Sequence, residues 1–181
     1  MGHFYFVRHG QTLWNVENKI CGCTDSPLAD LGHEQAAETA RAILDAGIKA
    51  DQILYSPLSR ARDTALIISE IIGVPASSEP RLLEQNYGTW EGTARDGEAF
   101  FKAKQSLSER LGGGESMLQV AQRVYNLIDD VKADFEATGR VYILVAHNGI
   151  SRVVESYFRD MTTEEFARFG IRNCECREYT F

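Results

Sequence analysis

The stretch Arg140-Val141-Tyr142-Ile143-Leu144-Val145-Ala146 runs directly into His147-Asn148-Gly149. Beyond its first residue it is continuously apolar, with no polar alternation. A strand of that composition is covered on both faces, as strands of parallel sheets are. Before it, Ser116 with Gln119 three residues on forms a capping box. Val120, Val124, Leu127, Ile128, Val131 and Phe135 then recur at helical spacing up to Gly139. After it, Ile150 to Phe158 reads as a helix, Thr162 with Glu165 caps a short one, and Cys174 to Phe181 closes as a strand.

The same rhythm holds towards the N-terminus. His3 to Val7 is a buried strand, followed by a polar loop that carries glycine. Leu31 to Ala46 places Ala36, Ala40, Ile43 and Leu44 on one helical stripe, stopped by Gly47. Gln52 to Tyr55 is strand-like, and Leu58 to Ile72 is a helix ended by Gly73 and Pro75. Gly112-Gly113-Gly114 reads as a flexible break. Strands and helices alternate, with connections too long for hairpins. That predicts an α/β fold with a mostly parallel sheet and helices on both faces. No repeat, low-complexity tract or linker divides the chain, so a single domain over residues 1–181 is expected.

The chain is 44% hydrophobic and 25% charged, an ordinary globular balance. Its net charge is -7, from 26 acidic and 19 basic side chains, with no Lys/Arg run. Nucleic acid is therefore a poor partner, whereas a local basic pocket for a small anion remains compatible with that total. No apolar run approaches the ~18 residues of a membrane span. The first residues lack the basic and apolar regions of an export signal, which makes the cytoplasm the expected compartment. The cysteines fall as Cys21-x-Cys23 and Cys174-x-Cys176, without C-x-x-C spacing or a neighbouring histidine. Each pair reads as two reduced thiols on one side of a strand, so no metal is expected. Oligomeric state leaves no mark in the sequence.

Parallel α/β sheets bind ligands beyond the carboxyl ends of their strands. Beyond the first strand stand Arg8-His9-Gly10-Gln11-Thr12. Beyond the second stand Ser56-Pro57-Leu58-Ser59-Arg60-Ala61, and beyond the strongest stand His147-Asn148-Gly149. Singly, each has an ordinary structural reading as a core histidine or a surface ion-pair arginine. Together they bring two of four histidines and two arginines to one sheet edge, an arrangement that asks for an anion. Walker, G-x-G-x-x-G, G-x-S-x-G and H-E-x-x-H patterns are all absent.

Arg8-His9-Gly10 with Thr12 and Asn15 resembles the opening motif of the histidine phosphatase superfamily, which includes cofactor-dependent phosphoglycerate mutases. The resemblance continues through Gly22-x-x-Asp25-x-Pro27-Leu28 with Gly32, then Ser56-x-Leu58-x-Arg60-Ala61-x-x-Thr64. Leu82-x-Glu84-x-x-x-Gly88-x-Trp90-Glu91-Gly92, Gly113-Gly114-Glu115-Ser116 and Ala146-His147 complete it. It implies a three-layer α/β/α sandwich in which His9 is phosphorylated, Arg8, Arg60 and His147 hold phosphate, and Glu84 donates the proton. It also implies substrate contacts from Gly10, Gln11, Thr12, Asn15, Cys21, Gly22, Tyr87 and Asn148. Asn148 departs from the glycine common after the second histidine.

These residue types suit phosphoryl transfer. Unaided phosphate monoester hydrolysis is so slow that acceleration approaching ~10²¹-fold can be required. Most of that comes from positioning and charge stabilisation, for which the planar, permanently charged arginine fork is well shaped. His9 must be neutral to attack, with one ring nitrogen held as a donor, and a backbone carbonyl is the usual partner. Glu84 serves first as acid for the leaving alkoxide and then as base for water.

The resemblance leaves hydrolase and mutase open, with a non-catalytic phosphate binder as a third reading. His9 and Glu84 together argue against the binder. The chain is short, has no Arg-Arg dipeptide and carries Trp90-Glu91-Gly92, like the phosphatase branch, although the Glu84 to Tyr87 spacing also occurs in mutases. Few cations are therefore expected for a second acidic group. The expected partner is a small phosphorylated metabolite: a sugar phosphate, a phosphoglycerate-like acid or a phosphorylated riboside of cobalamin assembly.

Overall fold

The computed structural model describes residues 1–181. The elements are β1 (His3–Arg8), α1 (Leu13–Val16), α2 (Asp30–Asp45), β2 (Gln52–Tyr55), α3 (Ser59–Ile72) and β3 (Ala76–Ser78). They continue with α4 (Glu98–Ala103), α5 (Met117–Thr138), β4 (Tyr142–Ala146), α6 (Asn148–Phe158), α7 (Thr163–Arg168) and β5 (Cys176–Thr180). The strands lie in the order β3-β2-β4-β1-β5. All neighbours are parallel except β1 and β5, which are antiparallel.

The two-residue period of the strands sorts the core into two layers. Phe4, Phe6, Leu144 and Ala146 face α5 and α6, packing on Val120, Val124, Leu127, Ile128, Ile150 and Val153. Val7, Ile143, Val145 and Ile53 face α2 and α3, packing on Ala40, Ile43, Ala61, Ala65 and Ile68. All five residues of β4 are buried, because this central strand is covered on both sides. The Ser116–Gln119 box opens α5, with both reciprocal bonds formed, and Gly139 ends it in the left-handed conformation. No helix is long and apolar enough to cross a membrane.

Four local expectations change. β3 escaped the sequence reading because Ala76-Ser77-Ser78 is short and polar, an edge strand held only by β2. α6 starts at Asn148, since β4 passes straight into a helix whose first turn contains a glycine. Gly112-Gly113-Gly114 is a docked 3₁₀ turn rather than a flexible break: a Cβ at Gly112 would lie 2.6 Å from the Thr89 nitrogen. The cysteine pairs do not share strand faces. Cys21 and Cys23 sit in a loop, and Cys174 is in a left-handed turn (φ 58°) before β5 begins. All four thiols are free, and no three His, Cys, Asp or Glu side chains gather as a metal site.

Candidate active site

β1 and β4 are parallel neighbours, so their carboxyl ends bring His9 and His147 side by side, with ring centroids 5.2 Å apart. The backbone N–H of His9 donates to the Ala146 carbonyl at 2.9 Å, and its carbonyl accepts from Asn173 Nδ2 at 2.9 Å. The ring Nδ1 lies 2.7 Å from the Gly10 carbonyl. A carbonyl can only accept, so Nδ1 carries the proton and Nε2 keeps its lone pair. Burial holds the His9 pKa well below the usual imidazole value, and the Arg60 and Arg8 charges push it further down. The ring is thus a neutral base with one free nitrogen.

Three buried nitrogens nearby have no partner in the protein: the Nε–H donors of Arg8 and Arg60, and Nδ1 of His147, which is a donor when Ser56 donates to Nε2. The rest of each side chain is fixed. Arg8 Nη1 donates to the Ile171 carbonyl at 2.5 Å. Arg60 donates from Nη2 to the Gly22 carbonyl (2.6 Å) and from Nη1 to the Thr24 carbonyl (3.2 Å). His147 Nε2 is 2.6 Å from the Ser56 hydroxyl. Burial and the charges of Arg60, His9 and Arg8 also hold the His147 pKa far down. A buried donor left unsatisfied costs ~1–3 kcal/mol. Three such donors around a nucleophilic nitrogen form a site that an oxyanion would complete.

Glu84 is buried on the other side of this space. Its two oxygens accept from the backbone N–H groups of Gln85 (2.8 Å) and Gly149 (2.9 Å). A Cβ at Gly149 would lie 2.2 Å from Glu84 Oε1 and 3.0 Å from the Tyr87 hydroxyl. Gly149→Ala is therefore expected to lower kcat by about 10²-fold, the scale of an ångström-sized misplacement. The melting temperature should fall by a few degrees, because the displaced carboxylate leaves the Gln85 and Gly149 N–H groups without a partner, which outweighs the helix preference of alanine. Steady-state kinetics beside a thermal melt would check this; an unchanged kcat would mean that the position of Glu84 is unimportant.

A cavity of about 180 Å³ opens over His9, Arg8 and Glu84, with Asn15, Cys21, Tyr87 and Asn148 also in its wall. Arg60 and His147 are not in its wall: they are 1% and 0% exposed, His147 with its ring 5.2 Å from that of His9. Gly10, Gln11, Thr12 and Gly22 do not reach it, because their polar backbone atoms are engaged elsewhere. The N–H of Gly10 donates to Thr64 Oγ1, that of Gln11 to Gln35 Oε1 and that of Thr12 to Asn15 Oδ1, while the Gly22 carbonyl holds Arg60. Gly10 serves packing: its Cβ would stand 2.4 Å from the Gly32 carbonyl oxygen. The Asn148 side chain accepts from the Ile171 N–H at 3.1 Å and so tethers the turn after α7. A shallower groove of about 780 Å³ shares Arg8, Asn148 and Gly170 but contains no nucleophile placed like His9.

The sequence pattern of the histidine phosphatase superfamily (branch 1) matches residues 4–181. The chain belongs to that superfamily. It is 33% identical over 177 residues to a protein of Erwinia tasmaniensis named "Probable phosphoglycerate mutase", covering 94% of this chain and 80% of that one. A vanadate complex of a mycobacterial glucosyl-3-phosphoglycerate phosphatase superposes with a TM-score of 0.85 at 27% identity, covering 98% of this chain and 90% of that one. A His-to-Ala variant of the phosphoserine phosphatase of Entamoeba histolytica, in complex with phosphoserine, superposes with a TM-score of 0.82. It is 25% identical and covers 100% of this chain and 91% of that one.

The site also holds residues that the sequence reading did not select. Glu91 Oε1 accepts from the N–H groups of Cys23 and Tyr87, both at 3.0 Å, and its Oε2 accepts from the Thr24 N–H and hydroxyl. It thereby joins the loop that holds Arg60 to the segment that carries Glu84. Glu115 grips Arg123, whose guanidinium donates to the Arg81 and Glu84 carbonyls. Both acids stand in motifs already quoted, so the signal was there without a role. Arg95, Lys104, Arg152 and Arg168 also line the cavity. They overturn the expectation of few cations. That expectation rested on adjacency in sequence, and these four come from separate segments.

Proposed function

We propose that the chain is a phosphomonoester hydrolase acting on a small phosphorylated metabolite through a phosphohistidine at His9. The observation that carries this is the neutral His9 ring, with Nε2 free, amid the unpartnered donors of Arg8, Arg60 and His147. In this reading Nε2 attacks phosphorus and the three donors bind the peripheral oxygens, where charge is held through the transition state. With Ser56 donating to Nε2 of His147, its Nδ1–H is turned to phosphate. Protonated Glu84 gives its proton to the departing alkoxide. It then takes one from the water that releases phosphate from His9. The arginines supply the cationic charge, so turnover requires no metal in this scheme.

A mutase reading draws support from the cations around the cavity and from the name of the Erwinia relative. A panel of phosphomonoesters that includes 3-phosphoglycerate, assayed in EDTA, separates the two. Phosphate release that survives chelation is expected, with vanadate a stronger competitive inhibitor than phosphate because it can adopt the transition-state geometry. Conversion of 3- to 2-phosphoglycerate faster than phosphate release would establish the mutase instead. Loss of activity on chelation, restored by a divalent ion, would remove the metal-independent scheme.

A further inference from the structure

His9, Gly10 and Gln11 follow β1 outside any helix or strand, yet side chains from three other segments grip the two peptides that join them. The His9 carbonyl accepts from Asn173 Nδ2 at 2.9 Å, and the N–H across the same peptide, that of Gly10, donates to Thr64 Oγ1 at 3.0 Å. The N–H of Gln11 donates to Gln35 Oε1 at 2.9 Å. Across that second peptide lies the Gly10 carbonyl, which takes the Nδ1–H of His9 at 2.7 Å. The holders are themselves fixed. Thr64 is buried on α3, and its hydroxyl donates to the Arg60 carbonyl at 2.7 Å, which leaves its oxygen lone pairs for Gly10. Asn173 also donates to Asn15 Oδ1 at 3.3 Å. Gln35 rides on α2, whose entrance comes so close that a Cβ at Gly32 would lie 2.2 Å from the Gln11 carbonyl oxygen. None of the three side chains lines the cavity.

A trans peptide is planar, with its N–H and carbonyl on opposite edges. Holding the Gln11 N–H therefore aims the Gly10 carbonyl, and holding the peptide between His9 and Gly10 fixes the plane before it. The aim matters because a free neutral imidazole favours the proton on Nε2, the nitrogen that must attack. Burial keeps the His9 ring neutral, so its tautomer rather than its charge decides whether Nε2 has a lone pair. We propose that Gln35, Thr64 and Asn173 are positioning residues that clamp His9-Gly10-Gln11 and thereby hold His9 as the Nδ1–H tautomer. The proposal rests on the reading of His9 as nucleophile. When Nε2 bonds to phosphorus and the alcohol leaves with the Glu84 proton, Nδ1 keeps its own proton and the ring gains positive charge. The bond from Nδ1–H to the Gly10 carbonyl strengthens at that point, an interaction worth more in the transition state than before it. Loss of the clamp therefore falls on kcat rather than on KM.

The tautomer can be read without turnover. In the full chain labelled with ¹⁵N-histidine, the ring nitrogen shifts report it, and His9 is identified by the signals missing from His9→Gln. Wild type at pH 7 is expected to carry the His9 proton on Nδ1. In Gln35→Met, Thr64→Val and Asn173→Leu, which keep the side-chain size and lose the bond to the loop, a measurable share of that proton should move to Nε2. Their kcat on p-nitrophenyl phosphate should fall about tenfold or more, towards the ~10²-fold of an ångström-sized misplacement, with KM within about twofold of wild type. Thr64→Ser, which keeps the hydroxyl, should retain the wild-type tautomer and kcat. Thermal melts select the variants that are folded under these conditions, and the half-buried Gln35 keeps the comparison open if Thr64→Val is not among them. A wild-type ring protonated on Nε2 would overturn the clamp. So would the wild-type tautomer in every folded variant, even where kcat is lost, because general structural damage would produce that loss. A tautomer shift in the variants of a chain that hydrolyses no phosphomonoester would instead support the clamp and overturn the phosphatase reading.

Discussion

His9→Ala is expected to reduce phosphomonoester turnover by about 10⁵-fold or more, the scale seen when other covalent hydrolases lose their nucleophile. No other side chain is placed to substitute. His147 has its ring 5.2 Å from that of His9, but its Nε2 is engaged by Ser56, and it is wholly buried and outside the cavity wall. Glu84 offers oxygens, yet both accept backbone N–H bonds. The fold should survive, because the backbone bonds of residue 9 do not depend on the ring: its N–H still donates to the Ala146 carbonyl and its carbonyl still accepts from Asn173. Turnover of several substrates beside a thermal melt would check this. A variant that retains even a tenth of wild-type activity would exclude His9 as the phosphoryl carrier.

Glu84→Gln is expected to slow alkyl phosphates by about 10²–10⁴-fold, the usual worth of general acid help. p-Nitrophenyl phosphate, whose leaving group departs without a proton, should lose much less. Comparing the two substrates is necessary because the substitution also has a structural cost. The carboxylate accepts from two N–H groups, and an amide has only one oxygen, so Gln85 or Gly149 loses a partner. That loss is common to both substrates, and the ratio removes it. Equal losses would confine Glu84 to a positioning role.

Legibility in the sequence followed physical rules. The all-apolar run through β4 showed a strand covered on both faces, and the paired layers on Phe4/Phe6 and Val7 follow from its alternation and that of its neighbour β1. β3 was invisible because an edge strand of three small residues buries little and needs no pattern. The meeting of His9, Arg8, Glu84 and His147 at one place was readable because each follows a strand end or stands in a dense motif. The hydrogen-bond partners of Gly10, Gln11 and Thr12 were not. Whether a loop N–H faces a ligand depends on distant side chains such as Thr64 and Gln35, which no local pattern reveals. The cavity cations were hidden for a related reason: Arg95, Lys104 and Arg152 lie in a loop, at the end of α4 and on α6, and only folding brings them to one wall.

The central claim is that a phosphoryl group passes through His9, and rapid-quench trapping tests it most directly. Wild-type protein mixed with ³²P-labelled substrate, quenched in alkali and mapped by peptide mass spectrometry should carry one acid-labile, base-stable phosphoryl group on His9. That label should form and decay at least as fast as phosphate is released. Label on another residue, or full turnover with no trapped phosphohistidine at any time, would contradict the account.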